Sequence, residues 1–272
     1  MINIIISIRK NTNKKLGFMW IFLGRNIRKF LSRSNLIKYT SKKIGSYGPF
    51  KMVPEFLFSN LEEWGGGHNN GFHKYVESSK NMQCILDIGA HAGFTVLPVS
   101  SSISMTAKLF AFEPSTKNYN ALKTNINLNG IDNVVIENCL VGDEAAAEAV
   151  FYETNDICST SSIVSGRKNL FYKTLKKQVS IDSYCIENKL KPDLIKIDVE
   201  GAELSVLKGA RQIISSCKPI IYLSVHPNEI QSLGYDVNIL LDEIKKNNYQ
   251  ISNIDGSEVD HFSCVEYIVT PE

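Results

Sequence analysis

Cys84-Ile-Leu-Asp-Ile-Gly-Ala-His-Ala-Gly93 is the stretch from which the fold is read. Cys84 to Ile88 is a short apolar run of the kind found in central parallel strands. Gly89 and Gly93 supply a turn where backbone can approach a ligand closely. Apolar residues resume from Thr95 to Val99. A strand, a glycine turn and a helix N-terminus together predict a nucleotide-type pocket at the carboxyl edge of a sheet. Two ligands compete for it. A dinucleotide loop reads G-x-G-x-x-G, whereas this loop reads D-x-G-x-x-x-G. Asp87 places a carboxylate at the mouth, which repels a pyrophosphate and suits a ligand with an ammonium group. That favours S-adenosylmethionine over a nicotinamide cofactor, although any doubly wound sheet has some glycine-bearing βα turn.

Downstream residues extend the pattern. Lys108-Leu-Phe-Ala-Phe-Glu113 reads as a second strand, followed by Pro114. An acid here, some twenty residues beyond the glycine loop, is placed to hold a ribose diol. Ser115 to Asn129 reads as a helix with Ser115 as N-cap and Gly130 as its stop. Asn133 to Asn138 is a third strand, and Asn138 to Leu140 is where an adenine ring would lie. Ala149–Tyr152 and Lys177–Ile181 are strand-like pieces around the polar stretch 154–165, and Ser183–Lys189 is a short helix.

Asp193-Leu-Ile-Lys-Ile-Asp-Val-Glu-Gly-Ala-Glu203 is the second informative stretch. Its strand ends in Asp198 and Glu200, with Gly201 and a helix over 202–214 following. Two acids on this rim can tune each other's proton affinity or orient a substrate hydroxyl. Glu203 reads as a helix N-terminal acid favoured by the dipole. The next strand runs from Pro219 and ends at His226 on the same rim. A lone histidine is commonly structural; the rim position makes it a candidate for chemistry. A helix over 236–246 and two strands, 249–254 and 262–269, joined at Asp255-Gly256, close the chain as an antiparallel hairpin.

Composition limits the alternatives. The 272 residues hold one large α/β domain plus an appendage. Six scattered cysteines form no C-x-x-C pair, which excludes a zinc ribbon or disulfide frame and fits a reducing compartment. His68 and His73 have no acid at metal-ligand spacing, so no metal site is expected. Residues 1–54 contain twelve Lys or Arg and no acid, while the remainder carries eighteen basic and twenty-eight acidic residues. Leu16 to Leu31 has apolar positions on one helical face with Arg and Lys mostly off it. Its apolar run is far too short to span a bilayer. Two readings stand: an interfacial helix on an anionic membrane through residues 14–43, and a helix packed on the body or a partner. The division expected is a basic amphipathic extension at 1–45, an aromatic and glycine-rich linker or lid at 46–81, and a catalytic domain at 82–272. The location expected is cytoplasmic, at the inner membrane face if the interfacial reading holds. Basic and aromatic residues do not interleave as in an RNA-binding module, so no nucleic-acid partner is expected.

Ile85-Leu-Asp-Ile-Gly-Ala, Phe112-Glu-Pro and above all Ile195-Lys-Ile-Asp-Val-Glu-Gly-Ala-Glu203, with Leu207-Lys-Gly-Ala210, resemble the FkbM-type S-adenosylmethionine-dependent methyltransferases over roughly residues 82–270. The resemblance implies a Rossmann-like class I methyltransferase fold: a seven-stranded, mostly parallel sheet with one antiparallel strand. It implies S-adenosyl-L-methionine as cofactor and O-methylation of a sugar, glycan or complex natural product. Carried onto this sequence, Asp87, Gly89, Ala90, His91 and Gly93 form the cofactor loop. Glu113 is the ribose acid, with Pro114, Asn138 and Asp198 beside the same ligand. Asp198, Glu200 and His226 are the catalytic candidates, in no fixed order. The chain departs at His91, where the family often has Asn, and at Ser224, where an acid is common before the histidine; the latter puts in doubt a two-carboxylate scheme using that strand. A non-catalytic membrane-associated scaffold that keeps a cofactor-binding core is the alternative of a different class.

Overall fold

The computed structural model describes residues 37–154 and 171–272. A hairpin, β1 (Thr40–Ile44) and β2 (Tyr47–Met52), leads through two 3-10 turns to α1 (Phe72–Ser79). Then come β3 (Cys84–Ile88), α2 (Val96–Ser102), β4 (Lys108–Phe112), α3 (Thr116–Asn129), β5 (Val134–Glu137), β6 (Leu140–Val141), β7 (Ala146–Thr154) and β8 (Phe171–Val179). The chain continues through α4 (Ile181–Asn188), β9 (Leu194–Ile197), α5 (Glu203–Lys208), α6 (Arg211–Cys217) and β10 (Ile220–Ser224). It ends with α7 (Pro227–Ser232), α8 (Ile239–Lys246), β11 (Tyr249–Asn253) and β12 (Glu266–Pro271).

Seven strands form one sheet in the order β11-β12-β10-β9-β3-β4-β5. β3, β4, β5, β9 and β10 pair in parallel, and β12 runs antiparallel between β10 and β11. The sheet is therefore the expected one, mostly parallel with a single reversed strand. Side chains alternate across it. Ile85 joins a core with α1, α2 and α3, whereas Leu86 and Ile88 join one with α4, α5, α6 and α8. Burial on both faces explains why these strands read as continuous apolar runs. The chain leaves β3 toward β5 and later returns on its other side through β9, so the strand order reverses between β3 and β9. Ligand crevices open at such reversals, beyond the carboxyl ends of the strands.

Local signals placed α3 well. Ser115 caps it by accepting from the Asn118 amide, and Gly130, at φ 64°, closes it. The helix expected over 202–214 is instead two. At Gly209 the chain passes so close to Gly142 that an added Cβ would lie 2.0 Å from its carbonyl oxygen. Asp182 accepts from the Gln212 and Ile213 amides and so starts α6 afresh. The last connection also differs: β12 begins at Glu266, and residues 254–265 make a long excursion in place of a tight hairpin.

Of the expected extension, residues 1–36 lie outside the described residues, and Thr40–Ile44 is strand, not helix. The polar stretch 154–165 lies, apart from Thr154, outside them too. Residues 46–81 are built into the body. Phe50, Met52, Phe56, Phe72 and Tyr75 are buried in the core on the α1–α3 face. Asn125 fastens this segment to the glycine loop: its amide donates to the Ala92 carbonyl at 2.9 Å, and its carbonyl accepts from the Val53 amide at 2.7 Å. Among the described residues, no helix is long and apolar enough to cross a membrane.

Candidate active site

At the reversal point the ends of β3 and β9 touch. The Asp198 amide donates to the Ile88 carbonyl at 2.9 Å, and a Cβ on Gly89 would fall 1.8 Å from the Asp198 carbonyl oxygen. Only glycine fits there, at φ 91°. The Gly89 and Ala90 amides both donate to the Phe112 carbonyl, which folds the loop over the end of β4. Beyond this junction lies a cleft of about 370 Å³, large enough for a small-molecule ligand.

Glu113 lines the cleft and is nearly buried. One of its oxygens accepts from the His91 amide at 2.8 Å, the other from the Ser115 amide at 2.9 Å. Burial pushes its carboxyl up to about 7 against the pull of these donors. Phe112, Cys139, Leu140, Val141 and Phe151 give an apolar slot beside it. Trp64 and Phe56 close the opposite side through Phe94, with ring centroids 4.8 and 5.1 Å away. Burial holds the His91 imidazole down at about 4, and the ring stacks on Phe94.

Gly89, Ala90, His91, Glu113, Pro114, Asp198 and Glu200 all line this one cleft. The other expected residues support it from behind. Asp87 is not at the mouth of the loop, as the sequence suggested. It is fully buried beneath it, where one oxygen accepts from the Thr95 hydroxyl and burial raises its carboxyl. Its position inside β3, register-paired with Ala111 and Lys196, turns it toward the core. Gly93 packs on Leu122 at φ 94°. The Asn138 amide donates to the Glu113 and Pro114 carbonyls at 2.8 and 3.1 Å, so it shapes the turn after β4; its neighbours Cys139 and Leu140 reach the slot.

The acidic rim is richer than its motif. Lys196, buried in mid-strand, donates to Asp198 at 2.8 Å and stands 3.8 Å from Glu266. Although burial opposes it, these partners raise the ammonium well above its usual range. Burial would also raise Asp198, but Lys196 and His226 hold it at about 2. Burial lifts Glu200 to about 7, and its backbone sits at φ 53°. His226 Nδ1 donates to Glu203 at 2.6 Å, while Nε2 faces Asp198 at 3.7 Å and Glu200 at 3.6 Å. Burial alone would lower this imidazole; the Glu203 bond and the surrounding carboxylates raise it to about 9.

Sequence reasoning missed Lys196, Glu203 as a partner of His226, and Glu266. A lysine inside an apolar strand signals a buried counter-charge. Glu203 carried only its helix-start signal. Glu266 is visible only through pairing: it lies opposite Ser224 and supplies from β12 the acid absent at that position.

The family model described as the Methyltransferase FkbM domain matches residues 87–251. The chain belongs to this family. Curated relatives include the hexuronic acid methyltransferase AglP of Haloferax volcanii, 24% identical over 66% of this chain and 73% of that protein. Methyltransferase sdnD of Sordaria araneosa is 29% identical over 46% of this chain and 59% of its own length. The crystal structure of methyltransferase FkbM from Methylobacillus flagellatus aligns with TM-score 0.46 and 17% identity, covering 91% of this chain and 60% of that one. Membership of this methyltransferase family implies S-adenosylmethionine as cofactor. The residues present fit it. The glycine cradle admits close approach, Glu113 is a buried carboxylate in the cleft wall that can accept from hydroxyls, and the apolar slot suits a ring.

Proposed function

We propose that the chain transfers a methyl group from S-adenosylmethionine to a hydroxyl oxygen of a sugar, glycan or complex natural product. The observation that carries this reading is the convergence of the glycine loop, Glu113 and the Asp198–Glu200 rim on one cleft at the strand-order reversal. The name of the relative AglP supports a sugar-type acceptor.

Glu113 would hold the ribose diol, the Gly89–Ala90 turn the chain beside it, and the Phe112–Leu140 slot the adenine. When bound, S-adenosylmethionine supplies a sulfonium-activated methyl that passes to the acceptor oxygen while sulfur keeps the carbon–sulfur electron pair. The protein's share is then mainly alignment. A hydroxyl is a weak nucleophile, so Asp198 and His226 would serve to orient it and Glu200, whose carboxyl burial lifts to about 7, to take up its proton. Trp64, His68 and Asn69, which also line the cleft, would contact the acceptor. The basic segment at 14–43 would attract an anionic membrane surface.

Incubation of the full chain with methyl-labelled S-adenosylmethionine and a panel of uronic-acid and neutral glycans tests the proposal. Label is expected in carbohydrate as an O-methyl ether, and to be lost with Asp198→Asn. Absence of transfer to every hydroxyl acceptor, with intact cofactor binding, would overturn it.

A further inference from the structure

Three side chains from two separate segments meet where β9 and β10 end. Asp198 Oδ1 lies 3.7 Å and Glu200 Oε2 3.6 Å from His226 Nε2, and one donor atom from each residue falls within 4.8 Å of the others. Both separations are too long for hydrogen bonds. His226 is only 3% exposed, and its Nε2 has no hydrogen-bond partner among the described residues. On the far side of the ring, Nδ1 donates to Glu203, which also accepts from the Gly201 amide. That backing fixes the imidazole and aims Nε2 at the two carboxylates. A carboxylate behind an imidazole is how metal-bound histidines are oriented.

We propose that Asp198, Glu200 and His226 bind a divalent cation of the Mg2+ or Mn2+ class, and that its remaining positions hold two neighbouring oxygens of the acceptor. Metal–ligand bonds of about 2.1 Å place adjacent donors about 3.0–3.4 Å apart. Seating an ion therefore draws the observed donors inward by a few tenths of an ångström or more. Glu200, whose side chain is 24% exposed, can make that adjustment. Lys196 occupies the other oxygen of Asp198, which keeps Oδ1 turned to His226. Two carboxylates and one imidazole form a mostly hard donor set. Asp198 and Glu200 line the same cleft as the glycine loop, so the ion stands where an acceptor would meet the methyl donor. An ion there polarises an acceptor oxygen as a Lewis acid. The acceptor class that follows is a pair of adjacent oxygens: a vicinal diol, or a hydroxyl beside a carboxylate. This acceptor assignment rests on the methyl-transfer reading; the ion site does not. The sequence puts all three residues on one rim; the spacing of their donor atoms emerges only from the fold.

A second donor set, His68, His226 and Cys264, shares the histidine. Its exposed thiol is a soft ligand, and a variant separates the two sets. Mn2+ alone, titrated into the full chain and followed by electron paramagnetic resonance, is expected to show one bound ion per chain. Glu200→Gln should weaken binding at least about tenfold, and Glu203→Gln, which touches no ion, by about 10–100-fold in protein shown to be folded by circular dichroism. Cys264→Ala should leave binding as it is. No bound Mn2+ in the wild type, wild-type affinity in Glu200→Gln, or loss of binding in Cys264→Ala would each overturn the assignment. Calorimetry with S-adenosylhomocysteine separates the two readings. Methyl transfer that persists in chelator, without bound Mn2+, sinks the ion site alone. Bound Mn2+ with neither cofactor binding nor transfer sinks methyl transfer alone.

Discussion

Replacing Gly89 with alanine tests the junction on which the cleft depends. The new Cβ would lie 1.8 Å from the Asp198 carbonyl oxygen, a contact with backbone that no rotamer change can relieve. Restoring even 3.0 Å requires the ends of β3 and β9 to part by about 1.2 Å. The Asp198 amide bond to Ile88 spans this seam and would be strained or lost. Overpacking of this kind costs about 1–3 kcal/mol, and the positive φ of 91° adds about 1–2 kcal/mol for a residue with a side chain. The expected destabilisation is about 2–5 kcal/mol, measured by urea unfolding. Protein that remains folded should carry Asp198 displaced by about an ångström, a misplacement that can cost about a hundredfold in rate. S-adenosylhomocysteine affinity should fall with it. A Gly89→Ala protein that unfolds at the wild-type midpoint and binds S-adenosylhomocysteine equally well would refute the close approach and the cradle together.

Glu113→Gln should weaken S-adenosylhomocysteine binding by about 10–100-fold, since charge-assisted hydrogen bonds contribute about 1.5–3 kcal/mol. Burial sets the free carboxyl at about 7, whereas two ribose hydroxyls favour its ionised form. Binding therefore releases a proton below neutrality, and wild-type affinity should fall as the pH drops below about 7. The Gln variant should lack this dependence; equal pH profiles by calorimetry would count against the ribose role. Lys196→Met leaves Asp198 and Glu266 without their shared cation and should destabilise by about 3–5 kcal/mol, read from urea midpoints; a change below 1 kcal/mol would show that the buried pair is not needed. Full-length protein should co-sediment with phosphatidylserine vesicles at low salt and be released at high salt. Equal binding to neutral vesicles would argue against charge attraction by the basic segment.

The elements legible in the sequence are those specified locally. β3 and its glycine turn, Glu113 at the end of β4, and α3 between Ser115 and Gly130 are each announced by residues within a few positions. The glycine-loop and Glu113 side of the cleft was readable for that reason. Asp87 was misread because a carboxylate beside a glycine loop does not reveal which face of its strand it occupies; the β3 pleat turns it inward, under Thr95. The break at Gly209 depends on the approach of Gly142, sixty-seven residues earlier. Glu266 and Ser224 become neighbours only because β12 inserts antiparallel beside β10. Lys196, Ser224 and Glu266 are brought together by such long-range pairings, and no local pattern encodes them.

Asn125 gives the first described strands a definite bearing on the chemistry. One buried amide grips the backbone after β2 with its oxygen and the glycine loop with its nitrogen. The basic segment enters the body through β1 and so joins it at a point held in register with the cleft. A shift in the backbone after β2 is therefore passed straight to the glycine loop, because one side chain spans both.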